Sequence, residues 1–194
     1  QAVEQTKQAT AEIDLNRLAT TVDGYASKPN YIVKSALDME LIWCPPGGFV
    51  MGVGIDSEKH PQRKVVLTKG FYLGKFEVTQ EQYEKVVGNN PSKFKNKLFP
   101  VEQVSWRNAN MFCSILNRRE KKKTNWTFSL PTEAEFEYAS RAGLSLRQSI
   151  QKSNDPKFGN CRQSNLGKTT KVGNSPANNY GFFDLFGNVW EMCS

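Results

Sequence analysis

The chain is poor in the residues that build metal and nucleophile centres. It has one histidine, His60, in the exposed-turn pattern Glu58-Lys59-His60-Pro61. A histidine-based metal centre or a Cys–His nucleophile would rest on that residue alone. The four cysteines, Cys44, Cys113, Cys161 and Cys193, contain no CxxC pair. Their wide spacing argues against a zinc site and against a dense disulfide scaffold, while one or two disulfides stay open. No apolar run approaches the roughly 20 residues that cross a bilayer, so no membrane span is expected. The chain opens on Gln1 without a signal-peptide h-region, as a processed or excised piece would. The compartment is not legible at this end, and a secreted or periplasmic setting is carried forward only as an expectation. There is also no helix-turn-helix, zinc-finger or RNA-binding signature to accompany the basic balance, 26 Lys+Arg against 19 Asp+Glu for a net +7. The basic residues are scattered except for Arg118, Arg119, Lys121, Lys122 and Lys123, which read as a solvated turn. Nucleic acid is therefore not an expected partner.

What is present suits one domain with an appendage: 194 residues, 38% hydrophobic and 11% aromatic. Residues 1–36 read as a helical leader or linker, with a weak stripe of Ile13, Leu15, Leu18, Ala19 and Val22 before turn-rich positions 23–30. Residues 37–194 read as the domain. Met39 to Cys44 reads as a strand, Pro45-Pro46-Gly47-Gly48 as a tight turn, and Phe49 to Gly52 as the returning strand. Lys64 to Thr68 and Phe71 to Val78 read as a second strand pair around Lys69-Gly70. Three helices follow. Thr79 with Gln82 and Thr132 with Glu135 form capping boxes, in which hydroxyl and carboxyl or amide groups satisfy each other's free amides. Gly88 and Gly143 are the matching stops, and the middle helix begins near Ser105. On that helix Ala109, Phe112, Cys113 and Leu116 fall on one face, which makes Cys113 a core residue. Residues 144–180, rich in Ser, Asn, Gly and Lys, read as loop. A loop this long is usually functional or held by something such as an ion. The aromatic stretch from Tyr180 to Ser194 reads as a core element. The sum is an α+β domain with short strands, few helices and much ordered loop.

Several segments, in order, resemble the formylglycine-generating (sulfatase-modifying factor) family. They are Pro45 to Gly52, His60-Pro61 before a basic strand, Gly70 to Thr79, Pro100 to Trp106, Leu130 to Ala139, Asn179 to Asp184 and Gly187 to Glu191. Phe136 stands where the family usually has Trp. The resemblance runs from about Met39 to Ser194 and implies a C-type lectin-like fold. The family's best-known activity oxidises a sulfatase cysteine to formylglycine with oxygen and copper held by two thiolates. Such soft ligands suit Cu(I). Those cysteines follow the Trp-Glu motif in a Gly-rich segment, so the chain is expected to stop before them. Copper is then expected only with that segment, and Cys193 is read as a core or disulfide cysteine rather than as a catalytic thiol.

The resemblance further implies a calcium site. Asp184 and Glu191 match its side-chain ligands, and Gly187 and Val189 match its carbonyl donors, a mixture suited to Ca²⁺. Asn160 matches the start of a second calcium loop, with Cys161 supplying a carbonyl. The competing reading has Asp184 capping a turn and Glu191 pairing with a basic neighbour. Asn125-Trp126-Thr127 has the form of a glycosylation sequon. Two functions are carried forward: the scaffold of a formylglycine-generating oxidase acting on a sulfatase or other protein or peptide, and a non-catalytic lectin-fold binding module.

Overall fold

The computed structural model describes residues 32–35, 37–52, 61–121, 126–161 and 164–194. The leader helix read in residues 1–22, His60 and the sequon Asn125 lie outside the described residues.

Five short strands form two small sheets. β1 (Ile32–Lys34), β2 (Glu40–Cys44) and β5 (Phe71–Gly74) make one, in the order β1-β2-β5 with antiparallel neighbours. β3 (Gly47–Met51) and β4 (Arg63–Leu67) make the other, also antiparallel. β1 lies ahead of the boundary read at residue 36 and is nevertheless part of the first sheet.

This pairing corrects both hairpins expected from the sequence. β2 and β3 are neighbours in the chain and belong to different sheets. Their linker is Pro45-Pro46, and a two-residue hairpin turn needs positive φ at one or both central positions, which proline cannot adopt. The linker therefore steps the chain from one sheet to the other. β4 and β5 separate likewise. Between them Gly70 passes against the Trp43 ring so closely that a Cβ would collide with it. β5 also stops at Gly74, four residues earlier than expected, and Lys75 turns back to pair with Glu40 at 2.6 Å.

Four helices are described: α1 (Gln80–Val87), α2 (Trp106–Glu120), α3 (Glu133–Arg141) and α4 (Leu146–Ser153). The capping boxes at Thr79/Gln82 and Thr132/Glu135 are both present, and Ser105 caps α2 with Asn108 as its partner. α1 ends at Gly88 (φ 89°). α3 ends one residue ahead of Gly143, with Ala142 already left-handed at φ 46°. α4 lies inside the stretch read as loop. Its own box, Ser145 with Gln148, was concealed by the polar composition around it. Arg119, expected in a solvated turn, donates instead to the carbonyls of Lys85 (2.7 Å) and Val86 (2.9 Å), quenching orphan acceptors at the end of α1.

The core has two parts. Ile42, Cys44, Ala139 and Phe182 pack the first sheet against α3 and the 180–185 segment. Tyr83, Val86, Phe112 and Leu116 join α1 to α2, with the rings of Tyr83 and Phe112 stacked at 5.6 Å and 6°. Each fully buried side chain of this kind contributes roughly 1.5–3 kcal/mol by leaving water. Arg141 joins α3 to β3. It donates to the carbonyls of Val50 (2.6 Å) and Gly52 (2.9 Å) while paired with Glu137.

Between α1 and α2 the chain has no regular structure, and one side chain organises it. Gln80 is completely buried. Its Nε2 donates to the carbonyls of Phe94 (2.7 Å) and Pro100 (3.2 Å). Its Oε1 accepts from Asn90 Nδ2 (2.9 Å) and the Asn96 amide (3.1 Å). Replacing Gln80 with Ala orphans buried partners at roughly 1–3 kcal/mol each. Gln80→Ala is expected to lower urea stability by about 3 kcal/mol and to open the loop to trypsin at Lys93, Lys95 and Lys97; an unchanged urea midpoint would refute the keystone role.

Candidate cation loop

The loop from Asp184 to Glu191 is placed by two close backbone approaches. A Cβ on Gly159 would collide with the carbonyl of Phe186, and one on Gly187 (φ 150°) would meet the Asn160 carbonyl oxygen at 2.6 Å. Only glycine fits where two backbones meet this closely. The Asn188 amide then donates to Asn160 O at 2.8 Å, and the Val189 amide to Gly187 O at 2.8 Å.

Of the five residues singled out by resemblance, all fall in or against this loop. Asp184 is buried and left-handed (φ 57°). Its Oδ2 accepts from the Gly173 amide and its Oδ1 from the Ser175 amide at 3.3 Å. The turn-capping reading of Asp184 therefore holds, and it is compatible with a ligand role because an ionised carboxylate offers about four lone-pair sites. Asn160 abuts Gly187, and its side chain bonds its own loop as well as Asn188. Nδ2 donates to Lys168 O (2.8 Å) and Oδ1 accepts from Ser164 Oγ (2.8 Å). Glu191 makes no ion pair among the described residues, so the basic-neighbour reading finds no support. Trp190, expected in a core element, is 96% exposed.

Two residues that the sequence did not single out complete the arrangement. Asn188, left-handed at φ 65°, is its hub. Its Oδ1 accepts from the Thr170 amide (2.8 Å) and from Asn160 Nδ2 (3.3 Å). Its Nδ2 donates to Glu77 Oε2 at 2.7 Å and to Thr170 O at 3.3 Å. Glu77, just past β5, is 8% exposed, and its other oxygen, Oε1, is buried with no hydrogen-bond partner. Asn188 stood in a quoted motif, where Gly-Asn reads as a turn. Glu77 stood in an expected strand, where an acid reads as an outward residue.

The electrostatics are those of carboxyls that lack a counter-ion and therefore hold their protons. Burial pushes the Glu77 carboxyl up to about 9; the Glu191 and Asp184 charges push the same way, against the Asn188 hydrogen bond and the nearby Val189 amide, which lies close enough to act on the carboxyl without meeting hydrogen-bond geometry to Oε1. Burial, then Asp184, pushes Glu191 up to about 7. Glu191 lies in a concave wall, surrounded by protein atoms yet open to solvent, so water relieves part of its penalty. The wall belongs to a mostly apolar groove of about 220 Å³ between the two core clusters, and Glu77, Val189, Trp190 and Glu191 lie along it. Among the described residues no three His, Cys, Asp or Glu side chains form a ready metal cage. A cation here would be held by a mixture of carboxylate and carbonyl oxygens. The donor set fits a hard cation, and the orphaned Glu77 oxygen marks the uncompensated charge that such a cation would answer.

The thiols behave differently. All four cysteines are free. Cys44 is fully buried and pushed to about 12 by burial and then by Glu135. Burial also raises Cys113 and Cys193. Trp106 Nε1 donates to the Cys193 carbonyl at 2.9 Å, which fixes the end of the described chain against α2.

With this geometry in hand, comparison with known proteins is decisive. The profile described as the Sulfatase-modifying factor enzyme 1-like domain matches residues 33–194. The chain belongs to the sulfatase-modifying factor family. Among its relatives, a protein named chaperone protein LppX from Paenibacillus barcinonensis is 31% identical over 79% of this chain and 70% of its own length. The inactive C-alpha-formylglycine-generating enzyme 2 of mouse is 34% identical over 52% of this chain and 33% of that protein. The chain thus spans about a third of that mouse relative. Treponema denticola variable protein 1 superposes with a TM-score of 0.70 at 23% identity, covering 84% of this chain and 75% of that one, a likeness of fold. The family's α+β fold with short strands and much irregular loop is the one described above.

The carboxyl pair sets a pH dependence. In the unfolded chain Glu77 titrates near 4.5, and in the folded state near 9. A raised folded value means that the folded state holds its proton longer, so this stabilisation is full below 4.5 and is lost as pH rises toward 9. Glu191 adds its share between 4.5 and about 7. In excess chelator the urea midpoint is expected to be higher at pH 5 than at pH 9; the reverse order would show that these carboxyls have cationic partners.

Proposed function

We propose that this domain is a non-catalytic interaction module of the family, with a protein or peptide as partner and a bound Ca²⁺ setting its 184–191 loop. The observation that carries this reading is the loop itself, turned against Asn160 at Gly187 and Asn188 with the buried Glu77 beneath it and Asp184 and Glu191 at its ends, none of the three acids in an ion pair among the described residues. Asp184 and Glu191 would supply carboxylate oxygens, and Gly187 and Val189 carbonyl oxygens. The ion would neutralise the loop and hold it at the mouth of the groove. Asn160 lies against this loop and supports its backbone rather than a separate second ion. The mostly apolar groove supports a partner that buries apolar side chains.

The placement of the thiols speaks against oxidase chemistry within this chain: Cys44 is packed in the first core cluster and Cys113 against the second, where each serves as a small apolar side chain. The second reading, a scaffold for a formylglycine-generating oxidase, is favoured by the family itself and needs a cysteine pair from sequence other than this. Family membership alone does not decide between them, because one fold carries many activities.

Two measurements test the proposal. Thermal unfolding in Ca²⁺ is expected to shift upward, reversibly with chelator, by the equivalent of about 2.7 kcal/mol at a hundredfold excess over Kd; a Tm indifferent to millimolar Ca²⁺ would remove the cation from the proposal. With copper and a Cys-x-Pro-x-Arg peptide, no oxygen uptake is expected from this polypeptide. Measurable uptake would restore the oxidase reading.

A further inference from the structure

Glu77 is absent from the ligand set proposed above, and its position demands an account. It sits just past β5, under the loop, and is 8% exposed. One oxygen, Oε2, accepts from Asn188 Nδ2 at 2.7 Å. The other, Oε1, is buried and makes no hydrogen bond of full geometry, with the Val189 amide as the nearby donor that acts on the carboxyl. Asn188 stands between Gly187 and Val189, the two carbonyl donors, and holds a left-handed backbone (φ 65°) that turns the chain there. Its remaining bonds, to Thr170 and Asn160, fasten the same turn to the neighbouring loop. Placing a carboxyl under a loop that already carries Asp184 and Glu191 is costly for a purely structural role. A neutral amide would accept from Asn188 equally well without setting an ionisable group beside two acids.

We propose that Glu77 is the positioning carboxylate of the cation loop: through Asn188 it fixes the turn that presents the Gly187 and Val189 carbonyls, and its buried carboxyl adds negative charge that a cation in the loop neutralises. This rests on the Ca²⁺ reading of the loop and goes beyond its ligand set. Glu77 acts through Asn188 and through its field. The residue thereby links cation binding to the first sheet, since β5 pairs along β2 immediately before it.

The test uses Tb³⁺ as the probe, sensitised by Trp190 beside Glu191, with Ca²⁺ as the competitor and the whole chain as the protein. Glu77→Gln keeps the shape and an acceptor for Asn188 while removing the charge. Its Ca²⁺ affinity is expected to fall at least tenfold, whereas its metal-free Tm is not lowered. A purely structural Glu77 would give the opposite pattern, a lower metal-free Tm with unchanged Ca²⁺ affinity, and that result overturns the inference. Asn188→Gly is the second variant; it tolerates the left-handed backbone and cuts the link while leaving Glu77 in place. Its Ca²⁺ affinity is also expected to fall, and wild-type affinity in this variant would refute the link. If the wild-type chain shows neither sensitised Tb³⁺ emission nor Ca²⁺ competition, the cation reading and this inference fall together. Wild-type binding that both variants retain removes this inference alone.

Discussion

The contact between Asn188 Nδ2 and Glu77 Oε2 ties the irregular half of this domain to its sheeted half. On one side of it are β2 and β5 with the aromatic cluster around Phe182. On the other are residues 159–191, whose described positions hold no strand and no α-helix. Such a segment cannot satisfy its backbone by ladder bonds, so side chains and close approaches must do so. Asn188 serves Thr170 and Asn160 on that side, Asp184 serves the amides of Gly173 and Ser175, and Asn178 serves the carbonyl of Ala139 at 2.8 Å. Gln80 plays the same part for the loop between α1 and α2. The fold is held by a few fully engaged polar side chains as much as by its two small cores.

That strategy has an electrostatic consequence. Polar amides such as Gln80 and Asn188 satisfy their neighbours at no cost in charge. Glu77 does not, because half of its hydrogen-bonding capacity is unused and two further acids face it. Burial first and the neighbouring like charges second raise the proton affinity of Glu77, and the same two causes act on Glu191, where open solvent relieves part of the effect. The domain therefore holds its protons or takes a cation at this place. The thiols show no such tension. Cys44 is packed as a small apolar side chain in the first core cluster and is inert in consequence.

Much of the local structure was legible in the sequence, because its signals act over three or four residues. The boxes at Thr79 and Thr132 mark helix starts correctly, α2 begins after Ser105 as expected, and Ala109, Phe112, Cys113 and Leu116 mark the face that α2 turns to the core and the groove. α4 carried the same kind of signal in Ser145 and Gln148, and only the polar company of that box disguised it. What could not be read locally was pairing. The strand runs were visible, but β2 pairs with β1 and β5 while β3 pairs with β4, across linkers that resemble hairpin turns. The signs against hairpins were chemical: two prolines in the first linker, and in the second a glycine whose reason is the Trp43 ring, a partner 27 positions away.

The candidate loop divides in the same way. Asp184, Gly187, Val189 and Glu191 could be named because resemblance ties them together within eight residues. Glu77 could not, since its relation to Asn188 spans 111 positions and exists only once both halves have folded. An acid at the end of a strand is ordinarily an exposed one, and its burial here follows from the loop lying over it. The order of dependence therefore runs from the sheet outward. β5 places Glu77, Glu77 places Asn188, and Asn188 sets the turn on which the two carbonyls and the flanking carboxylates are displayed. A loop assembled this way, from a rigid strand through one buried contact, can keep its donors in place while Trp190 and the groove wall stay open to solvent.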